Sequence, residues 1–151
     1  MDAKVVLLVE DNADDERLTL RALRKNNIMN EVVVACDGEE ALDYLFGRGR
    51  HAVREHASMP AVVLLDLKLP GMTGIDVLKE IRSNPGTRLL PVVVLTNSDD
   101  PVQAAVCFEH GANSFVRKPV DPQEFSETIL QIGLYWLLLN QTATNGAELV
   151  V

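Results

Sequence analysis

Five strand-length apolar runs, separated by segments of helical periodicity, constrain this chain more than anything else in it. Val5-Val6-Leu7-Leu8-Val9 is apolar at every position, with no alternation toward a polar face. A strand of that kind must be covered on both sides, the condition of a central strand in a parallel sheet. Val32 to Ala35, Ala61 to Leu65 and Val92 to Leu95 repeat the pattern, and Ser114-Phe115-Val116 is a shorter fifth candidate. Leu18, Ala22 and Leu23 share one helical face after the capping signal Asn12 to Asp15, and Ala41, Leu42 and Leu45 do so in the next segment. Ile75, Leu78 and Ile81 follow Thr73-Gly74-Ile75-Asp76, which has the form of a capping box. Val102, Ala105, Val106 and Phe108 fall in a fourth segment, and Asp121-Pro122-Gln123-Glu124 opens a fifth with a capping residue and a proline at the first helical position.

Strand and helix alternating in this way require crossover connections. The predicted fold is therefore α/β: a five-stranded, doubly wound parallel sheet with helices on both faces. Such a sheet carries its site beyond the carboxyl ends of the strands. A chain of 151 residues holds one domain with a sizeable core, expected over 4–140, with a short tail at 141–151. Gly47 to Met59, carrying Arg48, Arg50, His51, Arg54 and His56, reads as a long polar loop.

Composition narrows the partners. The chain has 14 basic and 22 acidic residues and a net charge of −8, which argues against a nucleic-acid backbone as ligand. The apolar run from Leu134 to Leu139 is far too short to span a bilayer, and the start lacks the basic and long apolar stretches of a signal peptide, so a cytoplasmic location is expected. Cys36 and Cys107 have no metal-type spacing and read as small apolar residues.

Chemistry-bearing residues stand where the strands end. Glu10 and Asp11 follow the first strand, Asp66 ends the third, Thr96 the fourth, and Lys118 closes the fifth. In a parallel sheet these ends share one edge. Three carboxylates brought together are costly without a cation among them. Oxygen ligands alone suit Mg²⁺, which keeps several waters and shares a phosphate oxygen. Lys118 adds a mobile positive charge able to meet a phosphoryl group. Any one of these acids alone reads as a helix cap or a solvated loop residue; the set at matching strand ends does not.

Val9-Glu10-Asp11, Leu64-Leu65-Asp66-Leu67-Lys68-Leu69-Pro70-Gly71-Met72-Thr73-Gly74, Val94-Leu95-Thr96 and Lys118-Pro119 resemble the receiver domain of two-component response regulators, over roughly residues 4 to 135. The resemblance implies that Asp66 accepts a phosphoryl group from a histidine kinase. It implies Mg²⁺ held by Glu10, Asp11, Asp66 and the backbone carbonyl of Lys68. It makes Lys118 the partner of the phosphate, Thr96 a hydrogen-bond donor to it, and Phe115 an aromatic switch beside Thr96. It also carries a cis peptide bond into Lys118–Pro119. Such a protein catalyses only its own phosphoryl transfer and dephosphorylation, and is not otherwise an enzyme.

Three rivals are open to test. A haloacid-dehalogenase-like phosphatase requires a second Asp two residues after the nucleophile, where this chain has Lys68. A flavin carrier requires a Ser/Thr/Gly-rich loop after the first strand, where the acidic run Glu10 to Asp15 would repel a phosphate. A phosphorylation-independent interaction module of the same fold is the third, and Asp66, Thr96 and Lys118 together speak against it. Leu45-Phe46-Gly47-Arg48-Gly49, the basic loop after it and the apolar C-terminal helix resemble the regulators associated with phytochrome-type histidine kinases, a bacterial phytochrome being the implied partner.

The final helix makes a further expectation. Phe125, Ile129, Ile132, Trp136 and Leu139 form a stripe able to cover the domain's own sheet, while Leu130, Leu134, Leu137 and Leu138 lie off it. Two apolar faces on one helix predict a homodimer, unless the Leu149-Val150-Val151 tail or the kinase covers the second.

Overall fold

A computed structural model describes residues 4–25, 31–51 and 59–140. The predicted tail at 141–151 and most of the loop before Met59 lie outside the described residues. The strands are β1 (Val5–Val9), β2 (Glu31–Ala35), β3 (Val62–Asp66), β4 (Val92–Thr96) and β5 (Ser114–Arg117). The helices are α1 (Ala13–Lys25), α2 (Gly38–Phe46), α3 (Gly74–Ser83), α4 (Pro101–Glu109) and α5 (Pro122–Gly133), and α5 runs on as a π-helical segment, Leu134–Leu139. The strands pair in the order β2-β1-β3-β4-β5, parallel throughout.

The apolar runs are continuous because both sheet faces are covered. Leu7, Val9, Val63, Leu65, Val92 and Val94 pack toward α2 and α3, against Leu42, Leu45, Leu78 and Ile81. Val6, Leu8, Val62, Leu64, Val93 and Leu95 point the other way, toward α1 and α5, against Ala22, Leu23, Phe125 and Ile129. Successive strand residues thus alternate between two cores, as the period of two requires. Helix starts follow their sequence signals. The Thr73 hydroxyl accepts from Asp76 N and the Asp76 carboxylate accepts from Thr73 N, a complete capping box, and the Asp121 carboxylate accepts from Glu124 N.

Two helices depart from expectation. In α4 the only fully buried residue is Cys107, whereas Val102 and Phe108 are exposed, so this helix rests on the sheet by a narrow contact. At the end of α5 the apolar stripe holds through Ile132 and the partly buried Trp136, and then changes register. Leu137 is buried, and Leu139, expected on the core stripe, is 72% exposed. The π geometry is the reason: the Asn140 N–H donates to Tyr135 O, five residues back, and Leu137, five residues after Ile132, takes the core position. Among the described residues, no helix is long and apolar enough to cross a membrane.

Candidate functional site

The register of the sheet assembles the site. Val9 stands beside Leu65, Asp66 beside Leu95, and Thr96 beside Arg117, so Glu10, Asp66, Thr96 and Lys118 emerge at neighbouring strand ends. Gly74 brings the start of α3 against this edge. Its N–H donates to Leu67 O, and a Cβ there would sit 2.5 Å from Asp66 O, so no larger residue fits without displacing the end of β3. Gly71 adopts φ +72 in the turn between, as the Pro70-Gly71 pair foretells.

Glu10, Asp66, Thr96 and Lys118 are all buried, while Asp11 is exposed. One carboxylate oxygen from each of Glu10, Asp11 and Asp66 lies within 4.8 Å of the others, the only such grouping among the described residues. The donor set is all hard oxygen, open to solvent on the Asp11 side, and fits a small divalent cation that keeps part of its water shell. Lys118 Nζ donates to Glu10 Oε1 at 2.6 Å and to Asp15 Oδ2 at 2.8 Å, and stands 3.5 Å from Asp66 Oδ2. Glu10 Oε2 accepts from Asn12 N, and Asp66 Oδ1 accepts from Lys68 N, both at 3.3 Å. The Lys68 side chain is exposed, so its contribution at this edge comes through its backbone.

Burial pushes the Glu10 carboxyl up to about 7, and the Asp66 carboxyl beside it adds to the rise, against the downward pull of Lys118. For Lys118, desolvation acts to lower the pKa, but the Asp15 and Glu10 carboxylates outweigh it and hold the ammonium above its ordinary value. The site is thus an acidic nest with a lysine ammonium at its centre.

Thr96 is buried, and its hydroxyl oxygen accepts from Ser98 N at 3.2 Å. Phe115 lies beside Val94, half-buried against the core cluster that includes Cys107 of α4. Its place on β5, three residues before Lys118, is the one the sequence indicates. One expectation fails. The Lys118–Pro119 bond is trans, as are all peptide bonds among the described residues. Trans is the form that X–Pro amides favour in general by about 0.5–1 kcal/mol, and Lys118 already reaches its carboxylates in it.

Sequence reasoning missed Asp15. Its only signal is a place four residues after Asp11, in a helix's first turn, where acids are common for reasons of dipole alone.

With this geometry in hand, comparison with known proteins is specific. Residues 6–130 match the family described as "Response regulator receiver domain". The probable methanogenesis regulatory protein FilR2 of Methanothrix harundinacea is 37% identical over 146 residues, covering 93% of this chain and 88% of that one. The crystal structure of the phosphorylated cyanobacterial phytochrome response regulator RcpA superposes with a TM-score of 0.87 at 34% identity, covering 95% of this chain and all (100%) of that one. The bacteriophytochrome response regulator AtBRR is 45% identical, with a TM-score of 0.74 over 93% of this chain and 100% of that one. The acidic triad at the strand ends and these matches agree: the chain belongs to the receiver domains of two-component response regulators.

Proposed function

We propose that Asp66 accepts a phosphoryl group from the histidine of a sensor kinase, with Mg²⁺ held by Glu10, Asp11, Asp66 and the Lys68 backbone carbonyl. The observation that carries this reading is the convergence of three carboxylates and Lys118 at one sheet edge. Receiver domains of this family catalyse only their own phosphorylation and dephosphorylation. Chemistry here is therefore positioning and charge neutralisation. The Asp66 carboxylate attacks phosphorus, an O–P bond forms, and the P–N bond of the phosphohistidine breaks with its electron pair going to the imidazole. Mg²⁺ held by the three carboxylates would supply positive charge to the phosphoryl oxygens. Lys118 swings from its carboxylates to another of those oxygens. The Thr96 hydroxyl turns from the Ser98 amide to donate a hydrogen bond to the phosphoryl group. Phe115 then follows into the space beside β4, changing the surface of α4, β5 and α5.

The partner we assign is a phytochrome-type histidine kinase. The likeness to regulators named for phytochromes and the Leu45-Phe46-Gly47-Arg48-Gly49 stretch support this. The protein acts in the cytoplasm by protein contacts and not on nucleic acid, and pairs with a second copy through its C-terminal helix. Incubation with acetyl phosphate and Mg²⁺, read by mass spectrometry, tests the acceptor. Wild type gains one phosphoryl group on Asp66, and Asp66→Asn gains none, because an amide is not a comparable nucleophile. Undiminished labelling of Asp66→Asn would remove Asp66 from the role. An unlabelled wild type would leave the interaction-module reading in its place.

A further inference from the structure

Lys118 is held more closely by Glu10 and Asp15 than by Asp66. Its ammonium has three N–H donors, and the two short contacts go to Glu10 and to Asp15. Asp66 Oδ2, at 3.5 Å, lies beyond the range of a good N–H···O bond. Asp15 is firmly placed to do this. Its backbone N–H donates to Asn12 Oδ1 at 2.9 Å, and its carbonyl accepts from the Thr19 hydroxyl at 2.8 Å, which fixes the first turn of α1. Its side chain is only 21% exposed, so the ion pair with Lys118 is partly shielded from water. The neighbouring Asp14, by contrast, points to solvent and pairs with Arg17.

We propose that Asp15 is a positioning residue that holds Lys118 away from the acceptor, so that phosphorylation of Asp66 requires Lys118 to leave Asp15. The inference rests on Asp66 as acceptor. When a cation draws on the Glu10 carboxylate, Asp15 remains as the competitor of the phosphoryl oxygens for the Lys118 ammonium. A contact present before transfer and given up during it stabilises the ground state more than the transition state, and so slows the step. Asp15→Asn keeps the shape and an acceptor oxygen but loses the charge that makes the bond strong. With acetyl phosphate as donor, the Asp66 O–P bond forms and the acetyl O–P bond breaks, with acetate leaving.

The experiment compares initial labelling rates at saturating Mg²⁺ in wild type, Asp15→Asn, Asp15→Glu and Asp14→Asn, with Asp66→Asn as blank. Asp15→Asn should label about fivefold faster, the weight of exchanging a charge-assisted hydrogen bond for a neutral one. Asp15→Glu should restore a slower rate, since a carboxylate is again present to hold the ammonium. Asp14→Asn removes the same charge from the same helical turn and should label at the wild-type rate. An Asp15→Asn rate equal to or below wild type, or an equal acceleration in Asp14→Asn, overturns the proposal. A wild type that takes no label at Asp66 would overturn the acceptor assignment and this inference with it; equal rates in labelled proteins overturn the inference alone.

Discussion

Glu10 carries the clearest consequence at the scale of single residues. It is 3% exposed, hydrogen-bonded through one oxygen to Lys118 and through the other to Asn12 N. Burial first, and then the Asp66 carboxyl, raise it from 4.5 to about 7. Between those two values the folded state without metal binds more protons than the unfolded chain. The stability this group contributes is therefore fully present below about 4.5 and is lost as pH rises through about 7. A divalent cation favours the ionised carboxylate and works in the opposite sense. Mg²⁺ affinity, measured by titration calorimetry, should thus be about tenfold weaker at pH 6 than at pH 8. In Glu10→Gln affinity should fall overall and most of that pH dependence should vanish. Equal affinities for wild type at the two pH values would mean that Lys118 keeps Glu10 ionised throughout.

At the scale of elements, the loops that return the chain to β4 and β5 depend on one arginine. Arg82, at the end of α3, is half-buried and donates to Leu90 O at 2.7 Å, Gly111 O at 2.9 Å, Asn113 Oδ1 at 3.0 Å and Arg88 O at 3.1 Å. Desolvation lowers its pKa from the ordinary value. Asn113 Oδ1 accepts in turn from Val92 N at 2.8 Å, so the network reaches the start of the strand that ends in Thr96. Arg82→Ala should cost about 2–3 kcal/mol in denaturant unfolding, because several carbonyls lose a charged donor. Arg82→Lys should recover only part of that, since an ammonium cannot reproduce the guanidinium's fork. A loss under about 0.5 kcal/mol in the alanine variant would show that water replaces the arginine without penalty. Nothing in the local sequence announces this role: a single arginine in a helix's last turn reads as a dipole partner. Asp15 was hidden in the same way, its partner lying 103 residues away. Glu10, Asp66, Thr96 and Lys118 were readable because each terminates or follows an apolar strand, and parallel pairing then dictates that such ends meet. Helix α4 shows the limit of periodicity, for a segment with little amphipathicity gives no firm indication that Cys107 is the residue facing inward.

At the scale of the whole molecule, the end of α5 decides how two copies would meet. Counting along a regular α-helix places Leu139 on the core stripe and Leu137 off it. The π-helical segment exchanges them, and Lys4 Nζ donates to Leu137 O at 2.6 Å, tying the segment to the residue just before β1. The outward surface is then Leu134 at 38%, Tyr135 at 49%, Leu138 at 64% and Leu139 at 72% exposure, contiguous along one segment. An apolar strip of this kind on an otherwise charged protein marks a contact surface. A second copy would offer the same strip, and two-fold pairing would bury both. Because these side chains are already exposed in one copy, charging them should leave its folding stability within about 0.5 kcal/mol of wild type. Leu134→Lys combined with Leu138→Lys should nevertheless weaken association at least about thirtyfold, if both sit at the centre of the contact. Sedimentation at micromolar concentration would then find wild type as dimer and the double variant as monomer, each with its acceptor site intact. A monomeric wild type, with and without phosphorylation, would rule the dimer out, whereas an undisturbed dimer in the double variant would move its interface to another face.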